Sequence, residues 1–132
     1  MIFDERARDT LSQPVIVRLT TIRPDGYPHT TPVWFILEGD DLLVFATDDT
    51  QKIRNLRGNP KASLTIGGDP VDSPCYLIDG DVTLHPDPDQ AVAARITRHY
   101  ETPEKASEWL DSWKDLTFLT LRLNPRRVVK VS

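Results

Sequence analysis

Lys52, Arg54, Arg57 and Lys61 fall in a run of the chain that contains no acidic side chain, although the 132 residues carry 16 basic against 20 acidic groups. The remainder is therefore strongly acidic. A local positive field inside a negative protein suits a specific anionic ligand, and not general attraction to nucleic acid or a membrane surface. The segment Thr50-Gln51-Lys52-Ile53-Arg54-Asn55-Leu56 also has the form of a helix start. Asp48, Asp49 or Thr50 can serve as N-cap, and the free amides of the first turn, with Lys52 beside them, make a seat for phosphate. Ile53 and Leu56 would face the core, while exposed Lys52 and Asn55 share another side. Arg54 lies about 200° from Lys52 on an ideal helix, so the two do not grip one phosphate. The competing interpretation is a solvated basic helix that only connects two strands.

Other chemistry is sparse. His29, His85 and His99 are far apart and show no metal-ligand spacing. The single cysteine, Cys75, excludes an intramolecular disulfide, lacks a CxxC partner, and reads as a buried small side chain. Neither a GxGxxG nor a Walker A sequence is present, and no Ser/His/Asp or paired-carboxylate constellation stands out. Arg122, Arg126, Arg127 and Lys130 form a second basic cluster without acids between them. Trp109 and Trp113, four apart, share one helix face, where packing is the first expectation and substrate contact the second.

The elements that must carry these residues follow from period and punctuation. Residues 4 to 12 suit a short amphipathic helix, Val15 to Ile22 a strand, and Pro24-Asp25-Gly26 a hairpin turn. In one continuous second strand from Tyr27 to Leu37, alternation puts His29, Thr31, Val33, Phe35 and Leu37 inward. Thr30, Pro32, Trp34 and Ile36 then point outward, with Trp34 needing a partner subunit or a flat ligand to cover it. Strands follow at Leu42 to Thr47, Ala62 to Ile66, Cys75 to Leu84 (with a bulge at Gly80-Asp81), Phe118 to Leu123 and, after Pro125, Val128 to Val131. The basic helix ends at Gly58-Asn59-Pro60 through a left-handed residue. Helices are expected after Asp87 and after Thr102-Pro103. This pattern is a mainly β, α+β arrangement: a small antiparallel barrel with short connecting helices, in one domain over residues 1 to 132. The composition is that of a soluble globular protein. The charged first twelve residues lack the apolar stretch of a signal peptide, so a cytoplasmic location is expected.

Thr21-Ile22-Arg23-Pro24-Asp25-Gly26-Tyr27-Pro28-His29-Thr30-Thr31-Pro32-Val33-Trp34-Phe35, followed by Lys52-Ile53-Arg54-Asn55-Leu56 and Asn59-Pro60-Lys61-Ala62, resembles the pyridoxamine 5'-phosphate oxidase-like split β-barrels. It is most similar to their flavin/deazaflavin branch, which uses coenzyme F420. The resemblance implies a homodimer of six- or seven-stranded split barrels with cofactor grooves at the subunit interface. It implies a cofactor phosphate near Lys52 and Asn55, and a ring along Pro32, Val33 and Trp34. The candidate cofactor-binding residues are accordingly Thr31, Pro32, Val33 and Trp34 on the strand and Thr50, Gln51, Lys52, Arg54, Asn55 and Arg57 on the helix. No catalytic side chain is assigned, since the cofactor would supply the difficult chemistry. The implied activity is hydride transfer between reduced F420 and a small conjugated or electron-poor acceptor. FMN is the alternative cofactor, and a binding module for a cofactor or haem, with His29 as the haem candidate, is the alternative class. Arg54, Arg57 and Lys61 would follow the polyglutamate tail of F420. The acceptor would be shaped by the loop from Gly67 to Pro74 and by Trp109 and Trp113.

Overall fold

The computed structural model describes residues 2–67 and 74–131. In chain order the elements are α1 (Glu5–Leu11), β1 (Val17–Ile22), β2 (Pro28–Val33), β3 (Ile36–Glu38), β4 (Asp41–Thr47), α2 (Gln51–Gly58), β5 (Lys61–Gly67), β6 (Cys75–Pro86), α3 (Ala91–Tyr100), α4 (Pro103–Ser112) and β7 (Phe118–Lys130). The strands form one seven-stranded sheet, antiparallel throughout, in the order β2-β1-β5-β6-β7-β4-β3. The expected mainly β, antiparallel barrel with short helices is the fold observed. The sheet is not closed by hydrogen bonds. No described helix is long and apolar enough to cross a membrane.

Two strand assignments change. The expected continuous strand from Tyr27 to Leu37 is two strands, β2 and β3, at opposite edges of the sheet. Only Trp34 and Phe35 join them, so the sheet must roll until its edges nearly meet, and the chain leaves one edge and enters the other there. Conversely, Phe118 to Lys130 is a single strand that runs through Pro125. Pairing of β7 with β4 ends at Leu123 opposite Leu42. Beyond that point β7 has a free edge, where a residue without an N–H is tolerated. The register shift at Asp79/Gly80 places Gly80 opposite Pro125 and Asp79 opposite Arg127, so the extra residue of the bulge is Arg126 on β7. A Cβ at Gly80 would lie 2.5 Å from the Asn124 carbonyl oxygen, which explains the glycine.

The rolled sheet encloses a core of Val17, Leu19, Phe35, Leu42, Val44, Leu64, Ile66, Ile78, Leu121 and Leu123, with Ile53 and Leu56 of α2 packed into it. Cys75 is half-buried and not enclosed. α3 begins after Gln90, a left-handed residue with φ 55°. Buried Asp87 caps it by accepting from the amides of Val92 and Ala93 at 3.3 and 3.1 Å. Thr102 caps α4 in the expected way, accepting from the Lys105 amide. Residues 68–73, the greater part of the expected substrate loop, lie outside the described residues.

Candidate functional site

The site begins at the β1–β2 hairpin. Gly26 adopts φ 89°, which a side chain would resist, and its amide donates to the Arg23 carbonyl at 2.9 Å. The turn sets a register of Thr21 opposite His29, Leu19 opposite Thr31 and Val17 opposite Val33. His29, Thr31 and Val33 consequently point inward and are half-buried, whereas Pro28, Thr30 and Pro32 are exposed.

α2 closes the same end of the barrel. Asn55 is buried, its Nδ2 donating to Thr21 Oγ1 at 3.0 Å and its Oδ1 accepting from Gln51 Nε2 at 2.7 Å. Gln51 Oε1 in turn accepts from Arg54 Nη2 at 2.9 Å, and Arg54 Nη1 donates to the Asp49 carbonyl at 2.6 Å. Asn55 thus pins the helix to β1 and orients Gln51, while Arg54 folds back over the helix start, away from Lys52. The expected side-chain N-cap is missing. Thr50 occupies the cap position but makes no capping bond; its Oγ1 donates to the Thr47 carbonyl at 3.1 Å, and Asp49 accepts from Thr47 Oγ1 at 2.8 Å. These residues close the β4–α2 turn on itself. The left-handed C-cap is absent too: Asn59 is extended, with φ −150°.

Lys52 is half-buried, where an exposed side chain was expected, because it lies in a groove of about 360 Å³ lined by Ile16, Pro32, Val33, Trp34 and Phe45. No carboxylate pairs with it among the described residues, and burial pushes its ammonium pKa below the usual lysine value. A second hollow of about 570 Å³ is lined by Arg23, Pro24, Asp25, His29 and Gln51. His29 titrates below the ordinary histidine value because it is desolvated and feels the positive charges of Arg23 and Lys52. Its Nδ1 and Thr31 Oγ1 are enclosed without a hydrogen-bond partner among the described residues. From His29 to Val33, β2 spans about 13 Å at 3.3 Å per residue. An apolar slot and a polar, basic hollow thus lie along one strand, with Lys52 in the first acting electrostatically on the second. The arrangement suits an elongated ligand with a flat apolar part and an anionic part.

Trp34 does not project uncovered. Its ring stacks on Tyr100 of α3, centroids 5.0 Å apart and planes at 9°, while it lines the groove. Arg57 is exposed and has no ion-pair partner among the described residues. Lys61 is separated from the basic helix: it opens β5 opposite Asp81 and lines another hollow with Asp79, Asp81 and Arg126. The second basic cluster is largely consumed by cross-strand carboxylates that the linear sequence hides. Arg122 pairs with Glu38 and Asp41, Arg126 with Asp81, and Arg127 with Asp79. Trp109 and Trp113 stack at 5.3 Å, and Trp113 packs near Phe45 and Phe118. The local sequence does not single out Ile16, Phe45 or Tyr100 as site residues. Phe45 sits in an apolar strand like any core residue, and nothing local relates Tyr100 to Trp34 across 66 positions.

A family profile described as "Pyridoxamine 5'-phosphate oxidase" matches residues 3–131. No curated protein sequence matches the chain. Among solved structures, an F420 reductase is 25% identical, with 96% of this chain and 98% of that one covered and a TM-score of 0.78. A putative pyridoxamine 5'-phosphate oxidase from Listeria innocua is 21% identical, covering 96% of each chain, with a TM-score of 0.69. The heme storage protein HutZ from Vibrio cholerae is 19% identical over 98% of this chain and 96% of that one, with a TM-score of 0.70. The match over nearly the whole chain, on a split antiparallel barrel, shows that this protein belongs to the pyridoxamine 5'-phosphate oxidase family.

Proposed function

We propose that this protein is a cytoplasmic oxidoreductase that uses coenzyme F420, transferring a hydride between the reduced deazaflavin and a small conjugated or electron-poor acceptor. The observation that carries the proposal is half-buried Lys52, without a counter-ion among the described residues, in an apolar groove between Trp34 and Phe45. Such an ammonium is costly until an anion meets it. A ring carrying an anionic chain supplies both the apolar filling and the missing charge. The deazaflavin, when bound, supplies the hydride; the residues of this chain bind and orient it.

In this assignment Pro32, Val33 and Trp34 hold the ring, with Thr31 beneath them on the same strand. Lys52, Thr50 and the first-turn amide of Gln51 receive the phosphate, Asn55 acts by fixing Gln51, and Arg54 braces the helix start. Arg57 is left for carboxylates of the tail. The 25% identity to an F420 reductase supports F420 over FMN; the phosphate seat itself would serve either. A second copy of the chain completes the groove. Ile16, Val129 and Val131 are 56%, 39% and 61% exposed. The sheet register carries Ile16 toward Gly67, Cys75 and Val131 on the outer face, and this apolar row borders the groove through Ile16. It suits an isologous dimer.

The test is a titration of the purified protein with F420 and with FMN. Saturable F420 binding that outcompetes FMN supports the reading. FMN binding alone transfers the reading to a flavin enzyme, and binding of neither, with haem bound instead, overturns it.

A further inference from the structure

The seam of the rolled sheet, where β2 ends and β3 begins, is closed by one side chain from a distant helix. The Phe35 amide, left without a strand partner at the crossing, donates to Tyr100 Oη at 3.2 Å. The same hydroxyl donates to the Val15 carbonyl at 2.5 Å. The Tyr100 ring lies flat on Trp34, 5.0 Å away at 9°. One residue therefore grips the segment before β1 and the two-residue link between the sheet edges, and it covers the ring between them.

Those contacts bear directly on the groove. Trp34 is one wall, and Ile16, next to the Val15 carbonyl that Tyr100 holds, is another. Tyr100 itself does not line the groove. We propose that Tyr100 is the positioning residue of the groove, setting through its hydroxyl and its ring the distance and tilt of the Trp34 and Ile16 walls, and so the affinity for a planar ring. The proposal rests on the assignment of this groove to the cofactor ring. Burial pushes the phenol up to about 12, so the hydroxyl remains a donor at every physiological pH and the latch does not titrate.

Tyr100→Phe keeps the stack and removes both hydrogen bonds, leaving the Phe35 amide and the Val15 carbonyl without this partner. The affinity for F420 or FMN should fall by up to about tenfold, the limit reached when the whole cost of losing a buried hydrogen-bonded hydroxyl falls on the bound geometry of the groove. The affinity for inorganic phosphate, followed by chemical shifts of the Gln51 and Lys52 amides, should not change. Tyr100→Leu, which also removes the stack, should cost more. In a Trp109→Phe/Trp113→Phe background, acrylamide should quench Trp34 more strongly once Tyr100 is Phe. This last measurement needs no cofactor and decides the matter even if neither F420 nor FMN binds. Equal losses for ring and phosphate would indicate general loosening and overturn the proposal, as would unchanged Trp34 quenching.

Discussion

Asn55 and Thr21, 34 positions apart, are joined by a 3.0 Å hydrogen bond between buried side chains, and this contact fixes where the first turn of α2 meets the β1–β2 hairpin. Asn55→Ala should destabilise the fold by about 1–3 kcal/mol, because buried Thr21 Oγ1 and half-buried Gln51 Nε2 each lose a partner. Urea unfolding measures the loss, and a cycle with Thr21→Val should show coupling between the two sites. Full stability with abolished phosphate binding would instead make Asn55 a direct ligand.

Replacing Lys52 with Met should weaken cofactor binding by about 1.5–3 kcal/mol, the range for a hydrogen bond to a charged group. The cofactor-free protein should be no less stable, and its midpoint in urea should hold or rise. The sign follows from linkage: a lysine whose folded pKa is lowered is penalised in the folded state at every pH where it is still charged, pH 7 included. A marked fall in stability would show that the ammonium has a partner in the resting protein.

His29 should titrate below the ordinary histidine value, because desolvation, Arg23 and Lys52 all disfavour its charged form. A histidine with a depressed folded pKa contributes stability above about pH 6.5 that is lost as pH falls through the folded value. The stability of the cofactor-free protein should therefore drop on mild acidification, and less so in His29→Gln. Phosphate seated by Lys52 offsets the positive field, so the imidazole midpoint followed by NMR should rise on addition of phosphate. A midpoint indifferent to phosphate would place the anion elsewhere.

Arg57→Ala should lower the affinity for F420 by about 0.2–1 kcal/mol, more at low ionic strength, since an exposed charge acts weakly and is screened within about 10 Å at 0.1 M salt. FMN, which lacks the glutamate tail, should bind Arg57→Ala unchanged. Lys61→Ala should affect neither, because Lys61 lies across from Asp81 on another face. Isothermal titrations at two salt concentrations check all three, and equal effects on both cofactors would remove Arg57 from the tail.

Light scattering should report a species of twice the 15.0 kDa chain at micromolar concentration, with Ile16→Asp shifting it toward the monomer. A monomeric native protein would leave the apolar row of Ile16, Val129 and Val131 without the proposed cover.

By itself the sequence determined what depends on neighbours in the chain. Apolar alternation and the Pro24-Asp25-Gly26 turn defined the hairpin and the inward set of His29, Thr31, Val33 and Phe35. Thr102-Pro103 defined the start of α4, and Ile53 and Leu56 the buried face of α2. The acid-free run around Lys52 was legible as a basic helix, because an absence of acids is a property of the local sequence, although the helix turns Arg54 away from Lys52. Only the tertiary structure decided which cations are free. Asp79, Asp81, Glu38 and Asp41 reach the arginines of β7 across strands, and Lys61 is carried to another face of the sheet, so a count along the chain overstates the basic surface. It also decided that Trp34 marks a seam and not the middle of a strand, because sheet closure depends on strand order, a property no local period encodes. Tyr100 was invisible for the same reason: its role depends on α3 crossing the place where the two edges meet.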